Sequence, residues 1–264
     1  MRTQELAPAK INLALDILGR RADGYHELRM VMQTVSLCDV ITVEEGGTGF
    51  TLLTGEAFSL PADKVSMEQR AAEAFFAALG VPVPPLTVRL EKNIPAYAGL
   101  GGGSADVAAL LRCLRRLYAA GMPDEALRAI GLTVGSDVPF CVSGGTSLAE
   151  GRGERLTDLP PLPVCQIVLC KPDFGISTPE LFVLADGAVL SKRPDIAGLT
   201  AALQGGELTG VTDRLCNVFE EFLPERYREV FRIKESLLAH GALNAAMSGS
   251  GPTVYGIFES AVEA

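Results

Sequence analysis

The stretch Pro95-Ala96-Tyr97-Ala98-Gly99-Leu100-Gly101-Gly102-Gly103-Ser104-Ala105-Asp106 places four glycines within five positions. Directly after it Val107, Leu110, Leu111, Leu114, Leu117 and Tyr118 recur at the i, i+3, i+4, i+7 spacing of an amphipathic helix. This combination suits anion binding. Glycines admit positive φ and let backbone N–H groups reach a ligand without a Cβ in the way. A helix N-terminus adds unpaired N–H donors and about half a positive charge. Ser104 is placed to cap that helix, and Asp106 would fall in its first turn, where a negative charge suits the dipole. Phosphate is the anion such a site favours. The plainer reading is a flexible turn before a core helix. Two named phosphate loops are excluded. No Lys-Ser/Thr follows the glycines, as a P-loop needs, and the dinucleotide fingerprint read from Gly99 or Gly101 meets Ser104 or Asp106 at its sixth place.

Three further sets of residues could do chemistry. Asp137, in Thr133-Val134-Gly135-Ser136-Asp137-Val138-Pro139-Phe140, stands among apolar neighbours that imply partial burial. A buried carboxylate is costly unless paired, so it is either a helix N-cap or a catalytic acid–base group. Lys10 lies in Pro8–Ile17, a strand whose odd positions from 11 to 17 are apolar. Lys10 and Asn12 then share a polar face, where a lone lysine is ordinarily solvated. The loop Gly19–His26 ends in Tyr25 and one of only two histidines, as a recognition element or a simple hairpin connection. Asp173-Phe174-Gly175 spells a protein-kinase triplet, but no H-R-D or strand lysine accompanies it, and it reads as a turn.

The elements that must hold these residues follow from pattern. Met30–Leu37 and Val40–Glu44 read as strands, with Gly46-Gly47-Thr48-Gly49 as a hairpin turn. Asp63 to Leu79 reads as a helix ended by Gly80, and Leu86–Leu90 as the strand that feeds the glycine loop. A helix over 105–119 and a shorter one to Ile130 come next, then a glycine-rich hairpin around 144–154. Leu159-Pro160-Pro161-Leu162-Pro163 is the most linker-like stretch and divides the chain into 1–159 and 160–264. Beyond it, Cys165–Cys170 reads as a strand and 178–239 as mainly helical. Asn244–Met247 and Thr253–Phe258 are strands around a second glycine knot, Ser248-Gly249-Ser250-Gly251-Pro252.

Composition bounds the function. The 264 residues are 48% hydrophobic and 21% charged, which is globular, and a net charge of −9 argues against a nucleic-acid partner. No apolar run is long enough to span a membrane and the first residues do not form a signal peptide, so a cytoplasmic protein is expected. Six scattered cysteines are expected to stay reduced, and two histidines cannot build a His-based metal centre.

Three separated segments, Pro8-Ala9-Lys10-Ile11-Asn12-Leu13, Gly99-Leu100-Gly101-Gly102-Gly103-Ser104-Ala105 and Ser248-Gly249-Ser250-Gly251-Pro252, resemble in order the three motifs of the GHMP small-molecule kinase superfamily. Arg21-Ala22-Asp23-Gly24-Tyr25-His26-Glu27-Leu28 and Gly135–Phe140 look like the branch of the non-mevalonate isoprenoid pathway. The resemblance implies a two-domain α+β fold, with an N-terminal half like ribosomal protein S5 domain 2 and a ferredoxin-like C-terminal half. It implies transfer of the ATP γ-phosphoryl group to the 2-hydroxyl of a cytidine-diphospho sugar alcohol. By the same resemblance Asp137 matches the general base and Lys10 its cationic partner. Pro95, Gly99, Leu100, Gly101, Gly102, Gly103, Ser104 and Ala105 match the ATP phosphate loop. Asn12, Tyr25, His26 and Phe182 match acceptor-binding positions, with Tyr25, His26 and Phe182 around cytosine. Mg²⁺ would bridge phosphate oxygens with few protein ligands, Ser104 being the candidate contact. The chain would act as a monomer or homodimer. Asp63-Lys64-Val65 departs from the family's Asp-Asn-Leu at the adenine pocket, and Val218 from a common Asp. A GHMP kinase for another alcohol, such as a mevalonate derivative or homoserine, and a silent nucleotide-binding homologue are the rival readings.

Overall fold

The computed structural model describes residues 1–55 and 65–262. In chain order its elements are β1 (Arg2–Arg20), β2 (His26–Glu45), β3 (Phe50–Thr54), α1 (Met67–Ala78), β4 (Leu86–Glu91), α2 (Gly102–Tyr118), α3 (Asp124–Leu132) and α4 (Val138–Ser143). Then come β5 (Thr146–Gly151), β6 (Arg155–Asp158), β7 (Gln166–Cys170), α5 (Thr178–Ala185), α6 (Ile196–Gly205), α7 (Leu208–Thr212) and β8 (Cys216–Asn217). Two short 3₁₀ turns, α8 (Glu229–Ala239), β9 (Asn244–Met247) and β10 (Val254–Phe258) complete the chain. No helix among the described residues is long and apolar enough to cross a membrane. The class is α+β, as the sequence implies.

The residues fall into two compact units that interleave along the chain. The first holds 1–9, 35–94 and 101–144, the second 10–34, 95–100 and 145–264. The proline stretch 159–163, between β6 and β7, lies inside the second unit.

In the first unit β4 pairs antiparallel with the far half of β2 (Val40↔Glu91 to Glu45↔Leu86) and parallel with β3 (Phe50↔Leu86 to Thr54↔Leu90). β2 and β3 therefore flank β4, and Gly46–Gly49 is a crossover rather than the expected hairpin turn. Because β4 lies between β2 and β3, residues 46–49 cross its start, with Gly46 N–H on Pro85 C=O and Leu86 N–H on Gly49 C=O, and the connection between the parallel strands β3 and β4 contains α1. α2 packs against α1 and α4 through the apolar stripe read from sequence; Val107, Leu110, Leu111 and Leu114 are all inaccessible to solvent. α1 starts at Met67 behind the Ser66 cap, whose hydroxyl accepts from Gln69 N–H at 2.9 Å. Residues 63 and 64 of the expected longer helix, and the Asp63-Lys64 departure, lie outside the described residues.

In the second unit the near half of β2 pairs antiparallel with β5 (Leu28↔Gly151 to Gln33↔Thr146), and β5 with β6. β1 pairs parallel with β8 (Ala14↔Cys216, Leu15↔Asn217). A three-stranded antiparallel sheet, β7-β10-β9, packs against α8. β2 is one continuous strand where two were expected: Cys38 and Asp39 keep the extended backbone. β1 differs from expectation in burial. From Ala9 to Ile17 every side chain is buried, so Lys10 and Asn12 face inward and not to water. β8 also interrupts the expected helical region.

Candidate active site

The second unit builds its part of the site on two glycine knots pressed together. Gly99 has φ 76°, and a Cβ there would stand 2.1 Å from Ser248 C=O and 2.9 Å from Gly251 N. The Ser248 hydroxyl donates to Gly99 C=O at 2.9 Å, and Thr253 N–H to Ala98 C=O at 3.2 Å. Asn217, fully in the interior, donates both amide protons, to Met247 C=O and Gly249 C=O at 2.8 Å each, while accepting from Phe219 N–H at 3.0 Å. Asn217 was not singled out from sequence as a site residue. Its sequence signal is the segment Asn217-Val218-Phe219-Glu220, which resembles the family's Asn-Asp-Leu/Phe-Glu. Gly99→Ala is expected to destabilise the fold by about 2–4 kcal/mol, since both contact and φ are violated. Thermal unfolding measures this against Gly121→Ala, where a new Cβ meets nothing within 4 Å.

Beside these knots Lys10 is 5% exposed, and its Nζ donates to Asn12 Oδ1 at 2.8 Å. Gly249 stands against both: its absent Cβ would be 3.4 Å from Lys10 Nζ and from Asn12 Oδ1. Lys10 N–H donates to Leu100 C=O at 2.9 Å, tying the strand to the glycine loop. Tyr255 OH, inside the core, donates to Asn12 C=O at 2.8 Å; its burial raises the phenol well above its ordinary range and keeps it a donor.

His26 and Phe182 stack directly on each other, where the resemblance implies aromatic faces around a base. Their rings stack with centroids 4.7 Å apart and planes 20° off parallel. His26 Nε2 lies 2.8 Å from Asp186 Oδ1, and Phe182 packs edge-on against Phe219, so both rings are held. Rings in contact leave no room for a base between them. Tyr25 is not part of this pair: Arg152 covers its ring at 4.5 Å and the side chain is half exposed. Asp186 and Arg152 carry no motif and were not legible beforehand.

The first unit holds the loop's far end and the carboxylate. α2 begins at Gly102, with Gly101 at φ 68° as its N-cap. Ser104 is thus the third helical residue and not the cap. The left-handed glycine starts the helix early, and glycines at 102 and 103 let it continue. The first intrahelical bond runs from Ala105 N–H to Gly101 C=O at 2.9 Å, behind the N–H groups of Gly102, Gly103 and Ser104. Gly135 packs here, its absent Cβ 3.6 Å from Ser104 Oγ. Two residues on, Asp137 stands at the N-cap of α4, half-buried, and its side chain makes no capping bond. That removes the structural role the N-cap reading would have given it.

Under the loop lies a cluster the sequence did not announce. Lys92 Nζ donates to Asp106 Oδ2 at 2.7 Å and to Asp39 Oδ2. Asp39 Oδ1 also accepts the N–H groups of Asn93 and Ile94. Asp106 is therefore not a first-turn dipole partner; it points inward, 2% exposed. Its Oδ1 has no hydrogen-bond partner among the described residues. Burial pushes its carboxyl up to about 8 against the pull of Lys92. A cation spaced 14 residues from its carboxylate gives no local pattern to read.

Residues 66–145 match the model of the GHMP kinases N terminal domain, and residues 200–264 that of the GHMP kinases C terminal. The chain is 44% identical over 252 residues to the 4-diphosphocytidyl-2-C-methyl-D-erythritol kinase of Pelotomaculum thermopropionicum, covering 96% of this chain and 88% of that one. It is 38% identical over 258 residues to the enzyme of the same name from Clostridium acetobutylicum, covering 98% and 91%. A crystal structure of 4-(cytidine 5'-diphospho)-2C-methyl-D-erythritol kinase superposes with TM-score 0.82 at 33% identity, over 99% of this chain and 92% of that chain. A homoserine kinase from Cytophaga hutchinsonii shares the fold alone, with TM-score 0.75 at 19% identity over 99% and 86%. By these matches the chain belongs to the 4-diphosphocytidyl-2-C-methyl-D-erythritol kinase family of the GHMP kinases.

Proposed function

We propose that the chain transfers the γ-phosphoryl group of ATP to the 2-hydroxyl of 4-diphosphocytidyl-2-C-methyl-D-erythritol, in the cytoplasm. The observation that carries the acceptor is the His26–Phe182 stack, held in the same unit as Lys10 and Asn12. A flat apolar surface with polar groups at its edge suits a nucleobase, which homoserine and mevalonate lack.

The residues divide the task. The N–H groups at the start of α2, with Gly99 to Ala105 as their frame, bind and orient the nucleotide phosphates. Asp137 takes the proton from the attacking hydroxyl. Lys10, held by Asn12, places an ammonium where negative charge develops. Among the described residues no three His, Cys, Asp or Glu converge as a metal cage. The Ser104 hydroxyl at the helix start fits Mg²⁺, a hard cation that takes most of its ligands from phosphate and water. When bound it neutralises phosphate charge.

The test is ADP release with Mg-ATP and the cytidine acceptor, beside homoserine and mevalonate. Turnover with the cytidine acceptor alone is expected; turnover with another alcohol instead would sink the assignment. In the same assay Phe182→Ala should raise the acceptor KM about 10-fold or more, the effect of losing one stacked base, with the ATP KM unchanged.

A further inference from the structure

Among the described residues Tyr97 is the one residue other than glycine with a positive φ, at 52°. It is also 84% exposed. A left-handed backbone disfavours any residue with a Cβ, and a ring turned into solvent recovers nothing by burial. Two features that both lower stability meet in one residue, and its neighbours say why the backbone must turn there. Ala98, Gly99 and Leu100 all have their carbonyls engaged, by Thr253 N–H, the Ser248 hydroxyl and Lys10 N–H. The chain must turn at Ala96–Tyr97 to enter that fixed path. Glycine or asparagine would make the same turn with less strain. The backbone is explained; the tyrosine side chain is not.

The side chain does have a fixed base. A Cβ on Gly175 would come within 3.1 Å of Tyr97 Cβ and 3.8 Å of Cγ, so the start of the ring lies flush against the bend at 173–175. That bend leads to α5 and Phe182, and every residue named here belongs to the second unit, with Lys10, Asn12 and His26. We propose that Tyr97 positions the acceptor, its ring face packing against the C–H face of the polyol diphosphate. A ring suits this portion because a branched sugar alcohol offers apolar C–H surface that polar loop residues cannot match. The strain is retained for that contact, as strained residues at ligand clamps commonly are. The inference rests on the acceptor proposed above.

The experiment compares wild type, Tyr97→Gly and Tyr97→Phe by steady-state kinetics with both substrates varied, and by thermal unfolding. Tyr97→Gly should raise the acceptor KM about 3- to 10-fold, the range of one aromatic contact, with the ATP KM unchanged. Its melting temperature should stay level or rise, because glycine accepts the left-handed turn freely. Tyr97→Phe keeps the ring and should keep the wild-type KM. An unchanged acceptor KM in the glycine variant, a shift confined to the ATP KM, or an equal loss in the phenylalanine variant would overturn the proposal. A wild-type enzyme inert toward the acceptor would overturn the kinase assignment first, and this inference with it.

Discussion

Asp137→Asn is expected to lower kcat by about 10²–10⁴-fold while leaving both KM values close to wild type, because a positioned base contributes about that factor to proton transfer. Asparagine keeps the shape and loses the basicity, so the deficit isolates the proton-accepting role. The rival explanation for any loss is damage to α4, and the geometry separates the two. Asp137 occupies the N-cap position, but its side chain makes no capping bond. Removing a genuine cap costs about 1 kcal/mol. Asp137→Ala and Asp137→Asn should therefore not be separated by the roughly 1 kcal/mol that loss of a cap would cost. The readout pairs saturating turnover with urea unfolding. Full activity in the asparagine variant would remove Asp137 from the mechanism and leave the kinase assignment standing. A stability loss in alanine alone would restore the cap.

How far the site was legible depends on whether each feature has a local cause. The glycine loop and its helix are local: four glycines and a 3.6-residue period stand in one continuous stretch. α2 starts three positions before the expected residue 105, because serine is the commoner cap and only the fold shows that Gly101 is left-handed. Lys10 and Asn12 were assigned to a polar face by strand alternation. In fact both faces of β1 are covered there, and their mutual hydrogen bond offsets burial. The sequence resembled the family at Tyr25, His26 and Phe182, yet it could not show that two of the rings stack and the third lies under Arg152. The crossover at Gly46–Gly49 was hidden for the same reason, since strand order depends on β4, 40 residues further on. Asn217 stands in a segment that resembles the family's, but its bonds to Met247 and Gly249 leave no mark there, and the Lys92 cluster has no sequence signal, because its partners are distant in the chain and no periodicity joins them.

The Lys92 cluster sets up the largest stability effect. Lys92→Met is expected to cost about 3–5 kcal/mol near pH 8, the range for removing one partner of a buried ion pair. Methionine fills much the same volume, so the loss reports charge more than a cavity. In the wild type, burial pulls the ammonium's pKa down, yet Asp106 and Asp39 together hold it above its ordinary value. Asp106 moves the other way from a usual ion-paired carboxylate: burial outweighs Lys92, Asp39 adds repulsion, and its pKa stands at about 8 against an ordinary 3.8. Between those two pH values the folded chain keeps a proton that the unfolded chain has released. The folded state therefore binds more protons, and this group's stabilisation, complete below pH 3.8, is lost as pH rises toward 8. Without the ammonium Asp106 holds its proton more tightly, so the Lys92→Met deficit should be smallest in acid and grow with pH. Asp106→Asn should flatten the wild-type pH dependence across the same window, because the amide cannot ionise while the Lys92–Asp39 pair remains. Urea unfolding at pH 5.5 and 8.5 measures both variants. A Lys92→Met deficit equal at the two pH values would mean that its cause is packing, and that the charges under the phosphate loop contribute no net stability.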